Sequence, residues 1–220
     1  MNNIRSDLKI IVVGNANTGK TSFVNRWTKN QFHENYKATI VSEFGYKIFN
    51  YKGNVYRIQV WDLAGQDRNT TMTKVFCKDS HGVIILSDVT NKSSLEATIN
   101  WKKTIDDSVL FFDNTPLPMM LVQNKSDLID PSEKNEIELD DFSKKNGFLC
   151  SYYTSVKEGI NINESMNDFL ERVIKKTEGL NNKKLEDRKS MVLTNPNKNQ
   201  RVINGEVKET ENKKNSKCCN

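Results

Sequence analysis

Cysteine, histidine and proline are scarce in this chain of 220 residues, which contains four, two and four of them respectively. Cys77 and Cys150 stand singly in apolar surroundings, where a reduced and buried thiol is expected, and no metal-ligand spacing is present. Long apolar runs are also lacking, since none approaches the roughly 18 residues that a membrane-spanning helix needs. The N-terminus has no apolar stretch like that of a signal peptide. We therefore expect neither a disulfide framework nor a zinc site, and neither secretion nor a transmembrane anchor.

Positive charge is concentrated towards the C-terminus. The net charge is +5, yet residues 175–220 hold 12 Lys and Arg against 6 Asp and Glu, and residues 1–174 hold 21 against 22. The near-neutral first part argues against a nucleic-acid-binding face. The last part is rich in Asn and Lys and cannot bury enough apolar surface to offset the entropy of ordering it. We expect a folded domain over residues 1–176 and a disordered basic tail over residues 177–220.

Apolar runs alternate with amphipathic segments along the first part of the chain. The predicted strands are Leu8–Val13, Tyr46–Tyr51, Val55–Trp61, Val83–Ser87, Pro118–Gln123 and Leu149–Tyr153, and the predicted helices are Lys20–Lys29, Ser94–Val109, Ile137–Lys145 and Ile162–Lys176. A hairpin turn is predicted at residues 52–54. This alternation is typical of an α/β fold, with a mostly parallel sheet and helices on both faces. Ligands of such sheets bind outside the carboxyl ends of the strands.

A phosphate-binding loop is predicted directly after the first strand. Gly14–Thr21 reads GNANTGKT and fits the pattern G-x-x-x-x-G-K-[ST], with a strand before it and a helix after it. Backbone amides and the helix N-terminus would face the phosphates. Lys20 would reach the β- and γ-phosphates, and the Thr21 hydroxyl would bind Mg²⁺. The predicted contacts of this segment are Asn15, Asn17, Thr18, Gly19, Lys20, Thr21 and Ser22.

A second motif, Asp62–Gln66 (DLAGQ), follows the strand that ends at Trp61. A carboxylate at the end of a strand can hold Mg²⁺, which assigns Asp62 to the metal. Gly65 lets a backbone amide approach the γ-phosphate. Gln66 would orient an attacking water molecule, so Gln66 and Lys20 are the predicted catalytic residues.

Two further motifs predict which base is bound. Asn124–Asp127 (NKSD) follows the fifth predicted strand, and its Asp127 carboxylate can accept from the adjacent N1–H and N2–H of guanine, a pair that adenine lacks. The stem of Lys125 can cover the face of the base. Thr154–Lys157 follows the last strand, and the backbone of Ser155, Val156 and Lys157 could meet guanine O6. Thr39, in the polar segment after the first helix, could place a hydroxyl on Mg²⁺.

With these motifs in order, the chain resembles a small GTPase of the Rab family from about Leu8 to Lys176. Rab character is carried by residues 39–44 (TIVSEF), residues 56–61 (YRIQVW) and the cysteine end. The resemblance implies a phosphate-loop NTPase G domain with six strands, one of them antiparallel, and five helices. It implies that Thr21 and Thr39 ligate Mg²⁺, that Phe32 stacks on guanine, and that Gly65 and Gln66 belong to the second switch.

The resemblance also implies an effector surface. Phe44, Trp61 and Phe76 match the aromatic triad of the family, for which simple core packing is the alternative. Residues 101–128 look like those of the Rab subgroup that serves lysosome-related organelles. The chain departs from the family where it has Val41 and Ser42, where Asn69 follows the arginine of the second switch, and where Val156 replaces an alanine.

The adjacent Cys218 and Cys219 resemble a Rab double-prenylation end. Two lipid chains give stable membrane anchoring, and basic residues add attraction to an anionic surface. The resemblance implies geranylgeranyl groups on the cytoplasmic face of intracellular membranes, endosomal or lysosome-related, together with a cytosolic pool. It implies as partners effectors of the GTP form, a GEF, a GAP, a prenylation escort protein and a GDP-dissociation inhibitor.

The sequence thus predicts a switch that binds GTP or GDP with Mg²⁺, hydrolyses GTP slowly without a GAP, and recruits trafficking effectors. A phosphate-loop ATPase or kinase is one alternative, against which residues 124–127 argue. A pseudo-GTPase that serves as a fixed scaffold is another. Lys20, Thr21, Asp62 and Gln66 argue against that alternative, while the altered switch residues are compatible with it.

Overall fold

A computed structural model describes residues 4–34, 43–64 and 70–194 of the chain. The helices and strands are β1 Ile4–Gly14, α1 Lys20–Lys29, β2 Glu43–Tyr51, β3 Asn54–Asp62, α2 Thr70–Cys77, β4 Gly82–Asp88, α3 Lys92–Asp106, β5 Met119–Asn124, α4 Glu136–Lys145, β6 Cys150–Tyr153 and α5 Ile162–Thr194. Short 3₁₀ turns cover Ser126–Leu128 and Pro131–Glu133. The strands form one sheet in the order β2-β3-β1-β4-β5-β6. Among the described strands, β2 and β3 pair antiparallel and the other neighbours pair parallel, so the predicted α/β architecture is confirmed.

Both faces of the sheet are covered, as predicted. Successive side chains of a strand point to opposite faces. Ile10 and Val12 of β1 join one buried cluster together with apolar side chains of α1 and α5. Ile11 is fully buried outside that cluster, as are Trp101 and Ile105 of α3, which packs on β1 and β4. The sheet is therefore an inner layer, with α1 and α5 on one face and α3 on the other.

The hairpin between β2 and β3 has the predicted position. Tyr51 pairs with Asn54, and the two residues between them, Lys52 and Gly53, have φ values of 48° and 76°. Two positive φ values in a two-residue loop are the geometry that matches the right-handed twist of paired strands. This tight turn fixes the register in which Phe44 lies opposite Trp61.

Several elements differ from the prediction at their ends. β5 begins at Met119 rather than Pro118, because proline has no N–H to give to the sheet. The Pro118 carbonyl still accepts from the Val83 N–H at 2.9 Å. α3 covers Lys92–Asp106 rather than residues 94–109, since the Asn91 side chain caps its first turn by accepting from the Ser94 N–H. α2 lies in a segment for which no helix was predicted from periodicity.

The last helix is longer than predicted. Its expected buried stripe is confirmed, because Ile162, Met166, Phe169, Leu170, Val173 and Ile174 are all buried. The helix does not end at Lys176 but continues to Thr194, so residues 177–194 are helical rather than disordered. This part of the sequence is rich in the strong helix formers Lys, Leu and Glu. Glu178 also accepts a hydrogen bond of 2.5 Å from the buried Tyr56 hydroxyl.

The chain divides into two compact units, Met1–Glu178 and Gly179–Asn220. The first contains all six strands of the sheet. Among the described residues, no helix is both long enough and apolar enough to cross a membrane. The two isolated cysteines, Cys77 and Cys150, are buried and reduced, as predicted, and burial raises the pKa of each thiol to about 12.

Candidate functional site

The predicted phosphate loop connects the end of β1 to the start of α1. Gly19 precedes the helix with φ 91°, a left-handed conformation that favours glycine. A Cβ atom built on Gly19 would lie 2.3 Å from Nδ2 of Asn124. Asn17, at the exposed turn of the loop, also has a positive φ of 63°. The loop can therefore close against the Asn124 side chain only because residue 19 has no side chain.

Lys20 crosses this loop. Its side chain is only 6% exposed, and its Nζ donates to the Asn15 carbonyl at 2.9 Å. The Thr18 hydroxyl donates to the same carbonyl at 3.0 Å. Burial lowers the pKa of Lys20, and the negative charge of Asp62 opposes that shift. A buried cation beside a helix N-terminus provides the positive potential that a phosphate group requires.

Thr21 in the first turn of α1 meets Asp62 at the end of β3. Asp62 ends β3 and pairs in register with Val12 of β1, whose carbonyl accepts from the Leu63 N–H at 3.1 Å. This register places the fully buried Asp62 carboxylate where it accepts a hydrogen bond from the Thr21 hydroxyl. Carboxylate and hydroxyl oxygens are hard ligands that suit Mg²⁺. The pair therefore fits the metal that the sequence predicted there.

Asn124 joins the phosphate loop to both guanine motifs. This buried side chain donates through Nδ2 to the Thr18 carbonyl at 3.0 Å. Its Oδ1 accepts from the Val156 N–H and from the Thr154 hydroxyl, each at 3.2 Å. The Asn124 side-chain amide thus forms hydrogen bonds with groups that lie 106 residues upstream and about 30 residues downstream in the sequence. Three motifs that the sequence could only place at strand ends are held in one network.

The other guanine-motif residues lie around this network. The Ser155 hydroxyl donates to Oδ1 of Asp127 at 2.5 Å, and the Ser126 N–H donates to the Thr154 carbonyl at 3.0 Å. Lys125 has a left-handed backbone, with φ 65°, and its Nζ pairs with Asp88 at 2.7 Å.

Asp88 is the last residue of β4 and the partner of Lys125. Burial raises the pKa of the Asp88 carboxyl, but hydrogen bonds from Lys125 and Thr90 outweigh burial and leave the pKa below its ordinary value. Asp88 is therefore ionised at neutral pH. The ion pair between Asp88 and Lys125 fixes the stem of Lys125 within the motif that is predicted to bind the base.

Two residues of this region were missed by the sequence reasoning. Arg26 of α1 donates through Nε to the Val156 carbonyl at 2.9 Å and through Nη2 to the Lys157 carbonyl at 2.7 Å. Trp101 of α3 donates through its indole nitrogen to Oδ1 of Asn15 at 3.2 Å. No sequence signal identifies either residue, because their partners lie 130 and 86 residues away.

Several predicted residues have simpler placements. Ser22 lies in the first turn of α1 and is half-buried. Phe32 is half-buried, packs against the core cluster, and has its ring centroid 5.8 Å from the Arg26 guanidinium carbon. Thr39, Gly65, Gln66, Cys218 and Cys219 lie outside the described residues, as do the departures Val41, Ser42 and Asn69.

The predicted aromatic triad is only partly brought together by the described geometry. Phe44 of β2 is 51% exposed, and its ring centroid lies 5.1 Å from that of Trp61 on β3. Lys9 of β1 places its Nζ 5.5 Å from the Trp61 ring centroid. Phe76 lies on α2 and is half-buried. Because Phe44 is more than half exposed, simple core packing does not account for it.

Comparison with known proteins shows which family this chain resembles. A model of the Ras family matches residues 9–175. Ras-related protein Rab-7L1 of Rattus norvegicus is 38% identical over 167 residues, which cover 76% of this chain and 81% of that protein. Ras-related protein Rab-32A of Dictyostelium discoideum is 39% identical over 170 residues, with 76% and 78% covered. Ras-related protein Rab-32 of Sus scrofa is 35% identical over 167 residues, with 76% and 74% covered.

Proposed function

We propose that the network around Asn124 is the nucleotide site of this chain, which belongs to the Ras family as a Rab-type small GTPase. Such a protein is a switch that binds guanine nucleotide, hydrolyses GTP and acts in membrane trafficking. The observation that carries this proposal is the position of Asn124, which holds the phosphate loop and the two guanine motifs together. A nucleotide with its phosphates on the loop would therefore have its base beside Asp127. We propose as its contacts Asn15, Asn17, Thr18, Gly19, Lys20, Thr21, Ser22, Phe32, Thr39, Gly65, Asn124, Lys125, Asp127, Ser155, Val156 and Lys157.

Lys20 and the loop amides bind the phosphates in this proposal. The Lys20 ammonium now donates to the Asn15 carbonyl, and the β- and γ-phosphates would share its remaining donors. Its burial strengthens attraction to an anion, because little water screens the charge. The positive end of α1 adds to that attraction.

Thr21 and Asp62 would hold Mg²⁺, with Thr39 as the further ligand that the sequence predicts. The Thr21 hydroxyl and the Asp62 carboxylate are already adjacent, so bound Mg²⁺ would take the place of the hydrogen bond between them. Bound Mg²⁺ would neutralise negative charge on the phosphate oxygens.

Asp127 would select guanine by accepting from N1–H and N2–H. The Ser155 hydroxyl, at 2.5 Å, orients the carboxylate. Lys125, fixed by Asp88, would cover one face of the base, and Phe32 would stack on it.

Gln66 would orient the water molecule that attacks the γ-phosphorus. The new bond forms to the water oxygen while the bond to the β–γ bridging oxygen breaks, which gives GDP and phosphate. Hydrolysis is proposed to be slow without a GAP, which in Ras raises the rate by a factor on the order of 10⁵. In the GTP form, Thr39 and the Gly65 amide would be tethered at the γ-phosphate, and both switch segments would relax after hydrolysis.

From its Rab-type family membership, we propose that the protein associates with endomembranes and acts with effectors, a GEF and a GAP. We further propose that Cys218 and Cys219 carry geranylgeranyl groups, delivered by an escort protein and shielded in the cytosol by a GDP-dissociation inhibitor. The compartment proposed from residues 101–128 is a lysosome-related organelle or an endosome. Effectors are proposed to contact Phe44, Trp61 and Phe76, and the exposure of Phe44 supports this surface.

The decisive experiment exchanges the base-selecting carboxylate. Asp127→Asn is expected to weaken GDP binding and to favour xanthosine diphosphate, because the amide can donate to the additional oxygen of xanthine. Asp141→Asn, on the exposed face of α4, is the matched control and should retain the guanine preference. Unchanged GDP affinity in the Asp127→Asn protein would contradict the proposed site.

Hydrolysis is tested by single-turnover phosphate release from the GTP complex. Gln66→Leu is expected to slow release relative to the unaltered protein, both alone and with a GAP-containing cell extract. Equal rates for the two proteins would remove Gln66 from the mechanism.

A further inference from the structure

We propose that Arg26 is a positioning residue for guanine binding, and that its guanidinium aims the backbone of Val156 and Lys157 at O6 of the base. The inference rests on the proposed nucleotide site and adds to it a residue of α1. Arg26 is half-buried. It connects the helix that starts at the phosphate loop to the loop that follows β6.

The contacts of Arg26 form a two-pronged fork. Nε donates to the Val156 carbonyl at 2.9 Å, and Nη2 donates to the Lys157 carbonyl at 2.7 Å. These carbonyls belong to consecutive peptide units, so the planar guanidinium fixes both units at once. The ammonium group of a lysine is a point donor without this geometry. Charge-assisted hydrogen bonds of this kind are also shorter and stronger than neutral ones.

Fixing these carbonyls also fixes the amides opposite them. In a trans peptide unit the C=O and the next N–H point in opposite directions, and no described peptide bond is cis. The unit whose Lys157 carbonyl faces Arg26 turns its N–H, that of Glu158, towards Oγ of Ser155 at 3.0 Å. Ser155 in turn donates to Asp127. The side of the loop that faces away from Arg26 is therefore the Asp127 side.

The other peptide unit behaves in the same way. Its Val156 carbonyl faces Arg26, so the Lys157 N–H points away from the guanidinium. Within the part of the chain that the structure describes, this N–H meets no acceptor. Asp127 is proposed to read the N1–H and N2–H edge of guanine, and O6 is next to N1. An N–H held beside Asp127 is thus placed to donate to O6.

Arg26 also contacts the aromatic residue predicted to stack on the base. Its guanidinium carbon lies 5.8 Å from the ring centroid of Phe32, which is within the range of a cation–π interaction. Phe32 follows α1, which ends at Lys29. One cation therefore sets both the edge contact and the stacking contact of the base.

The test compares dissociation of two nucleotides that differ only at position 6. Ribose-labelled GDP and ribose-labelled 6-thio-GDP are loaded with Mg²⁺, and their release into excess unlabelled GDP is followed by fluorescence. Sulfur is the weaker acceptor at position 6, while N1–H and N2–H are retained. The variants are Arg26→Ala and Arg26→Lys, and Lys29→Ala is the matched control, because it removes an exposed cation from the same helix.

Arg26→Ala is expected to release GDP about tenfold faster, the scale of one charge-assisted hydrogen bond. The unaltered protein should release 6-thio-GDP faster than GDP, and this ratio should move towards one in the variant, since the O6 contact is already weakened. Arg26→Lys should shift the ratio in the same direction by a smaller factor. If the Arg26→Ala protein does not fold, the Arg26→Lys protein is used for the test instead. Lys29→Ala should match the unaltered protein.

Two results would overturn the inference. Unchanged GDP release in both Arg26 variants would show that the fork does not act on the nucleotide. Faster release of both nucleotides by one common factor would show that Arg26 only stabilises the fold and does not aim a donor at position 6. An unaltered protein that retains neither nucleotide would instead remove the proposed nucleotide site, and with it this role of Arg26.

Discussion

Mild acid is expected to weaken the fold through His81, which lies directly before β4. Its Nδ1 accepts a hydrogen bond of 3.1 Å from the Lys9 N–H, and its ring centroid lies 5.0 Å from that of Phe112. The pKa of His81 is lowered to about 4, chiefly by burial and also by the charge of Lys9, while Asp79 opposes the shift. Protonation at Nδ1 would remove the acceptor and place a second positive charge beside Lys9.

The magnitude follows from linkage between protonation and unfolding. His81 changes from an ordinary pKa of 6.5 in the unfolded chain to about 4 in the fold. Above pH 6.5 the side chain is neutral in both states, and its contribution to stability is complete. As the pH falls from 6.5 to 4, the unfolded chain binds the proton first, so the free energy of unfolding decreases. The decrease is about 2 kcal/mol between pH 7 and pH 5, and about 3 kcal/mol when it is complete.

The measurement is urea unfolding, followed by tryptophan fluorescence at pH 7 and pH 5 with a fixed excess of GDP. His81→Asn keeps an acceptor near the position of Nδ1 but does not titrate, so it should lose about 2 kcal/mol less than the unaltered protein over this interval. His33→Asn, at an exposed position, is the control and should lose as much as the unaltered protein. Equal losses for His81→Asn and the unaltered protein would refute the reasoning.

Two further substitutions test the site and the core. Gly19→Ala should lower GDP affinity at least tenfold in a nucleotide titration, because the added Cβ would lie 2.3 Å from Nδ2 of Asn124; a clash of this size must displace the loop. Tyr56→Phe should lower the free energy of urea unfolding by about 1–2 kcal/mol, because it removes the hydroxyl that donates to Glu178 at 2.5 Å.

Matched controls isolate the cause in each case. Gly53→Ala also places a side chain at a positive φ, of 76°, but no atom lies within 4 Å of the added Cβ, so GDP affinity should not change. Tyr46→Phe removes the hydroxyl of an exposed tyrosine and should leave stability nearly unchanged. A Gly19→Ala protein with unaltered GDP affinity, or equal stabilities for the two Tyr→Phe proteins, would contradict the respective arguments.

The candidate site residues could be predicted from the sequence because most of them lie in short, continuous motifs. A phosphate loop needs its glycines, Lys20 and Thr21 within eight residues, and a guanine-reading carboxylate needs a fixed offset from Asn124. The alternation of apolar runs then predicted that these segments lie at neighbouring strand ends. The predicted end of α5 was wrong, because the apolar stripe used to find it stops at Ile174, whereas helix formers extend the helix to Thr194.

The sequence by itself determined the fold class and the positions of the motifs, since these depend on strand–helix alternation and on local spacing, and it indicated the Rab-type family through the resemblance of short segments such as residues 39–44 and 56–61. Only the tertiary structure decided how the motifs are held together. Asn124 reaches Thr18 across 106 residues, and Arg26 reaches Val156 across 130. Such contacts have no local sequence signal, because folding brings strand ends and α1 together from distant parts of the chain, and the side chains of Asn124 and Arg26 then bond to the backbone groups that they meet.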